Sequence, residues 1–186
     1  GNLKFTQSEK DKLLINNKFK KFIHLKKTWC ASSTHEDEEK FCGYVHIKLK
    51  RKYKNLLTII IPRHIERVNE ILHTLKKLNL KVHLHGSKKK ISKDTDIYIV
   101  NMYGNTKTFY YHCKNVFLGG SLIEHGGQNP LEAARYGCNI LHGPNIYNFT
   151  EIYNFLKKNN ISQIIRDKKK LVLILDKLFS KNPNTK

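Results

Sequence analysis

Short, almost wholly apolar runs alternate along the chain with longer stretches in which apolar residues recur every three or four positions. The short runs predict strands at 28–32, 56–61, 81–84, 97–101, 116–118, 139–141 and 163–165. Apolar at nearly every position, they read as strands buried on both faces of a parallel sheet. Between them, 36–54 and 66–78 predict helices, the second with Val68, Ile71, Leu72, Leu75 and Leu78 on one face. Asn129-Pro130 opens a third, with Asn129 as N-cap and Pro130 in the first helical position, and Gly137 stops it. Helices at 149–158 and 168–179 follow. Residues 1–22 carry Leu13, Leu14, Ile15 and Phe19 among lysines, as a helix or a connector, and 180–186 is a polar tail. No internal repeat or domain boundary interrupts the alternation, so residues 1–186 read as a single α/β domain, a Rossmann-like three-layer fold around a parallel sheet.

Composition adds size and charge. With 186 residues, 39% of them hydrophobic, the chain is long enough for a packed core. No stretch approaches the roughly 18 consecutive apolar residues of a membrane span, and Gly1 to Glu9 lacks the apolar run of a signal peptide, so the chain is expected to be soluble. The formal charge of +20 predicts attraction to a polyanion, whether nucleic acid, an anionic membrane surface or a phosphorylated ligand; a lysine-rich coding bias would account for much of it equally well. Cys30, Cys42, Cys113 and Cys138 form no CxxC pair, which argues for reduced thiols rather than a zinc module or a disulfide framework.

In a doubly wound sheet the ligand lies beyond the carboxyl ends of the strands, so the residues following each strand carry the candidate chemistry. After the first strand stand Ser33-Thr34-His35 and then Glu36 to Glu39. Capping by Ser33 or Thr34, with carboxylates at the positive helix end, explains most of this segment, and helix N-termini are also phosphate sites. After the second strand comes Pro62-Arg63-His64. The Arg63 guanidinium there suits a phosphate or carboxylate, or else a salt bridge forms between Arg63 and Glu66 or between Glu66 and Arg67. The segment from Gly119 to Glu132 has two glycine pairs between a strand and a helix, which suggests a backbone cradle for phosphate, although it is neither a Walker A loop nor GxGxxG. Glu132 fits either a ribose diol or the helix dipole.

Taken in order, Trp29, Ala31, Ser33-Thr34-His35, Glu38-Glu39, Pro62-Arg63-His64, Glu66-Arg67, Gly119-Gly120-Ser121, Gly126-Gly127, Asn129-Pro130-Leu131-Glu132-Ala133-Ala134, Gly143-Pro144 and Asn148-Phe149 resemble one family. They look like the C-terminal, donor-binding half of a 3-deoxy-D-manno-octulosonic acid (Kdo) transferase, over about residues 29–179. The resemblance implies the C-terminal half of a GT-B glycosyltransferase, binding CMP-Kdo and taking part in Kdo transfer to the lipid A precursor of lipopolysaccharide. It places Ser33, Thr34, Pro62, Arg63, Met102, Gly104, Gly120, Ser121, Asn129 and Glu132 at the donor: the loop glycines and Ser121 toward phosphate or sugar, Pro62-Arg63 toward cytidine and phosphate, Asn129 on phosphate and Glu132 on ribose.

The resemblance further implies that the general base, the acceptor surface and any membrane anchor belong to an N-terminal domain, so that this chain contributes no catalytic base and is inactive alone. It implies a peripheral place on the cytoplasmic face of the bacterial inner membrane, with this fragment soluble. CMP is a monophosphate leaving group that needs less charge neutralisation than a diphosphate, so neither metal nor cofactor is called for. The chain departs from the family's Thr-Met-Gly-Glu-Leu with Asn101-Met102-Tyr103-Gly104-Asn105-Thr106, placing Asn105 where the glutamate stands; it also has Gln128 for a histidine and Ala133 for a proline. Two alternatives remain open. One is a GT-B donor domain for another nucleotide sugar; the other is a basic nucleic-acid module using 48–54 and 88–90, although no specific nucleic-acid motif accompanies those lysines.

Overall fold

The computed structural model describes residues 16–104 and 106–181. Leu13, Leu14 and Ile15, Asn105 and most of the polar tail lie outside the described residues. Strands β1 (Lys27–Thr34), β2 (Leu56–Pro62), β3 (Val82–Leu84), β4 (Ile97–Ile99), β5 (Asn115–Leu118), β6 (Asn139–His142) and β7 (Ser162–Ile164) coincide with the seven predicted runs. Their order is β3-β4-β2-β1-β5-β6-β7, and every pairing is parallel. The connections leave β1 and β5 toward opposite edges, which puts the topological switch point, and the crevice that goes with it, between these two central strands.

The two-residue period of the strands divides the interior into two cores. Trp29, Ala31, Leu56, Ile60, Ile97 and Phe117 face α2 (Glu38–Lys50), α3 (Val68–Lys77) and α7 (Lys168–Lys181). Their neighbours Cys30, Leu57, Ile59, Ile61, Tyr98 and Val116 face α1 (Asn17–His24), α4 (Thr106–His112), α5 (Leu131–Arg135) and α6 (Thr150–Lys158). A polar contact is set into the first core. Buried His46 meets the Thr58 hydroxyl at 2.8 Å through Nδ1 and Asp96 at 3.2 Å through Nε2. Burial opposes the charge on Asp96, yet the His46 and Lys81 hydrogen bonds and nearby Lys50 prevail and hold its pKa down at about 2. All four cysteines are free and buried, and burial pushes their thiols up, to about 11 for Cys138.

Several local expectations change. The helix expected at 36–54 is shorter, because Asp37 takes a left-handed φ of 69° just before it and 51–54 forms turns. Neither Ser33 nor Thr34 caps it. Ser33, at φ 56°, sits at a bulge in β1, and the Thr34 hydroxyl donates to Glu39 Oε1 at 2.9 Å. Helix α5 begins at Leu131, so Pro130 is its cap residue rather than its first turn, although Asn129 Oδ1 still accepts from the Leu131 N–H at 3.0 Å. Helix α4 was not expected at all.

The β1 and β5 ends are joined by Glu38, which is 1% exposed. Its carboxylate accepts N–H groups from His35 at 2.9 Å, Gly120 at 2.8 Å, Ser121 at 3.2 Å and Leu122 at 3.1 Å. Burial raises its pKa, and the four N–H donors work against that rise. Glu38→Gln turns an acceptor into a partial donor facing those N–H groups, so unfolding by denaturant should show a loss of roughly 2 to 4 kcal/mol. A loss below about 0.5 kcal/mol would show that the two loops hold together without it.

Candidate functional site

Beyond the carboxyl ends of β1, β2 and β5 lies a cavity of about 450 Å³, a size suited to a small ligand. It is lined by Ser33, Ile61, Pro62, Arg63, Met102, Tyr103, Gly104, Thr106, Tyr110, Leu118, Gln128, Asn129, Leu131, Glu132 and Arg135. A wider groove of about 620 Å³ runs between α1 and residues 83–93, but it lies away from the switch point and is lined by Phe19, Phe22, Ile91 and Tyr98 among lysines. Position and chemistry both favour the first.

Of the ten residues proposed from sequence, the fold brings seven to this cavity: Ser33, Pro62, Arg63, Met102, Gly104, Asn129 and Glu132. Thr34, Gly120 and Ser121 are not in its lining. Thr34 is fully buried against Glu39. Ser121 is equally buried; its hydroxyl donates to the Leu118 carbonyl at 2.5 Å and accepts from the Gly143 N–H at 2.9 Å. The expected backbone cradle is also altered. The N–H groups of Gly120, Ser121 and Leu122 already point to Glu38, so these three are not free for an anion, and the cationic side chains of the lining gain in importance.

Those side chains include two exposed arginines, Arg63 and Arg135. Among the described residues neither has an ion-pair partner. The salt bridges anticipated near Arg63 form elsewhere: Arg67 makes a bidentate contact with buried Glu39 at 3.0 and 3.2 Å and reaches Glu70 at 3.5 Å, while Glu66 lies 3.7 Å from His64. Glu132 is the cavity's carboxylate, and it accepts the Thr106 hydroxyl at 2.9 Å, which leaves acceptor capacity for a diol. Tyr110 closes the floor with its hydroxyl 2.7 Å from Ser32 Oγ, and burial raises its pKa well above the usual tyrosine value. Sequence reasoning missed Thr106, Tyr110 and Arg135. Arg135, three residues from Glu132 on one helix, was within reach of that spacing rule.

Beside the cavity, His35 packs against His125, with ring centroids 4.3 Å apart, and against His64 at 5.7 Å. Burial and these neighbours, His125 first among them, lower the His35 pKa to about 4.

The arginines separate in a stability measurement. Arg63→Met should leave unfolding free energy within about 0.5 kcal/mol of the parent, because the side chain is exposed and unpaired. Arg67→Met strands buried Glu39 and should cost about 1.5 to 3 kcal/mol. Equal effects would mean that Arg63 is structural.

No protein-family model matches the chain. The 3-deoxy-D-manno-octulosonic acid transferase of Haemophilus influenzae is 32% identical over 158 residues, covering 84% of this chain and 37% of its own length. That of Rickettsia prowazekii is 31% identical over 186 residues, 98% of this chain and 40% of the relative. The chain thus spans about two fifths of the length of the curated relatives it matches. The crystal structure of the C-terminal CMP-Kdo binding domain of WaaA from Acinetobacter baumannii superposes with a TM-score of 0.81 at 26% identity, over 87% of this chain and 84% of that one. Over nearly its whole length the chain is therefore similar to the Kdo transferases in sequence, and its fold matches the C-terminal CMP-Kdo binding domain of WaaA.

Proposed function

We propose that this chain is the donor-binding domain of an inverting Kdo transferase, holding CMP-Kdo for transfer of Kdo to the lipid A precursor in lipopolysaccharide biosynthesis. The carrying observation is that the chain is similar to a CMP-Kdo binding domain over 87% of its length and that Arg63, Asn129 and Glu132, residues of the family pattern, line a cavity at its switch point. In this reading the C2–phosphate bond breaks through an oxocarbenium-like state, and Arg63, with Arg135 near it, stabilises the charge that develops on the departing CMP phosphate. Glu132 accepts the ribose hydroxyls, held in orientation by Thr106. The base and the acceptor site belong to the N-terminal part of the intact enzyme, which we place at the cytoplasmic face of the inner membrane.

Among the described residues no helix is long and apolar enough to cross a membrane. The nucleic-acid alternative is not favoured. Within its basic run, Lys50 pairs with Asp96 at 3.2 Å and Lys52 with Asp176 at 2.8 Å, and that run lies at the amino-terminal edge of the strands, opposite the cavity.

Titration of the 186-residue chain with CMP, UMP and AMP should show preference for CMP, with only modest salt dependence; a steep fall between low and physiological salt would instead mark polyanion binding. The same chain should transfer no Kdo to a lipid A precursor. Glu132→Gln should weaken CMP at least about tenfold and 2′,3′-dideoxy-CMP far less, because charged hydrogen bonds to hydroxyls contribute roughly 1.5 to 3 kcal/mol. Equal losses for the two ligands would remove Glu132 from the ribose.

A further inference from the structure

The described residues contain two buried side-chain nitrogens without a hydrogen-bond partner, Trp29 Nε1 and His35 Nε2. Trp29 is fully buried among the apolar side chains of the first core and lines neither of the two cavities described above. His35 is different. It is 7% exposed, follows Ser33 of the cavity lining by two residues, and lies beneath two exposed imidazoles, His125 and His64. A Cβ added at Gly120 would stand 3.1 Å from His35 Cε1, 2.9 Å from His125 Cδ2 and 3.3 Å from Nε2 of the cavity residue Gln128, so these side chains converge on one spot at the cavity edge.

The proton on His35 is placed by its neighbour. Nδ1 lies 3.0 Å from the Ser33 carbonyl, which accepts hydrogen bonds but cannot donate, so Nδ1 carries the hydrogen and Nε2 keeps its lone pair. A buried acceptor left unpaired costs about 1 to 3 kcal/mol, and although His35 is not itself in the cavity lining, a donor that reached Nε2 from the adjoining cavity would remove that cost. The nucleotide has other partners in the proposed reading, namely Glu132 for its ribose and Arg63 for its phosphate.

We infer that His35 contacts the transferred sugar of the donor, accepting a hydrogen bond from a sugar hydroxyl at Nε2 once the exposed His125 ring turns aside. This rests on the reading of the cavity as the CMP-Kdo site. It adds a residue that distinguishes the sugar-bearing donor from bare nucleotide.

Calorimetric titration of the 186-residue chain and two variants with CMP and with CMP-Kdo tests it. His35→Leu removes the acceptor, whereas His35→Gln puts an amide oxygen near the place of Nε2. CMP should bind all three alike within about twofold, which also reports that the variants fold. CMP-Kdo should bind the Leu variant at least about tenfold more weakly than the parent, equivalent to about 1.4 kcal/mol, with part of the loss recovered in the Gln variant. Equal weakening of both ligands would make His35 a loop-holding residue, and no weakening of either would leave its lone pair without a ligand; each result overturns the inference while the donor reading stands. Failure of the parent to bind CMP would instead overturn the donor reading, and this inference with it.

Acidity supplies a second readout. A ring with its pKa near 4 stays an acceptor across the neutral range, so the advantage of CMP-Kdo over CMP should persist from pH 8 to about 5 and fade toward 4. His125, His64, Arg63 and the Glu38 carboxylate, 3.9 Å from Nδ1, are the charged or titratable groups around the ring, so the profile is read against His35→Leu. An advantage lost above about pH 6.5 in the parent and absent at every pH in that variant would mark a protonated His35 pairing with the sugar carboxylate, and would also overturn the acceptor role.

Discussion

The N–H groups that converge on Glu38 come from two loops, one after β1 and one after β5, with Glu38 and Gly120 separated by 82 positions in the chain. Such loops, each ending a central strand at the switch point, carry amide groups that neither helix nor sheet can satisfy. One carboxylate takes up four of them, and charge-assisted bonds of this kind are roughly twice as strong as neutral ones. Everything nearby is referenced to that contact. Ser121, fixed by Glu38 through its N–H, passes the registration on through its hydroxyl to Gly143 beyond β6. Gly143 and Gly119 have no room for a side chain: a Cβ on the former would meet the Ser121 backbone, and on the latter the Ser33 carbonyl. Gly119, one of the glycines that looked like a ligand cradle, is thus required by close packing of chain against chain.

That accounts for how unevenly the sequence could be read. The central strands were legible because burial on both faces leaves few polar positions to confuse the period; β2 is buried at all seven of its residues, Thr58 being its one polar side chain. Helix α4, with the sequence TKTFYYH, was not legible. It is short and rich in aromatic and β-branched residues, and it exists because Phe109 and Tyr110 are buried against the sheet. Within the site, topology delivers the strand-end residues Ser33, Pro62 and Arg63 to one edge, while their neighbour Thr34 is buried against Glu39. The role of Glu38 was out of reach. A first-turn glutamate is ordinarily a dipole partner, and nothing local shows that its acceptors serve a loop on another strand. The choice between Arg63 and Arg67 as the free guanidinium was equally hidden, because it depends on where Glu39 points once α2 has docked.

Charge, the loudest signal in the composition, proved the least informative about the site. Many of the basic residues sit in the last turns of helices: Lys48 and Lys50 in α2, Lys76 and Lys77 in α3, Lys157 and Lys158 in α6. There they complement the negative helix ends, at the edge of the sheet away from the cavity. The cavity itself has a modest balance of two arginines and one glutamate.

The division of the interior into two cores has a consequence for how such a domain changes over time. The helices that line the cavity, α4 and α5, pack on one face of the sheet, while α2, α3 and α7 pack on the other. Substitutions far apart and without shared partners act additively on stability. A lineage can therefore exchange residues on the cavity side, altering what is bound, and recover the lost stability through repacking on the opposite face, with no step that requires two simultaneous changes in contact. The sheet serves as a partition between the part of the molecule free to adapt and the part that absorbs the cost.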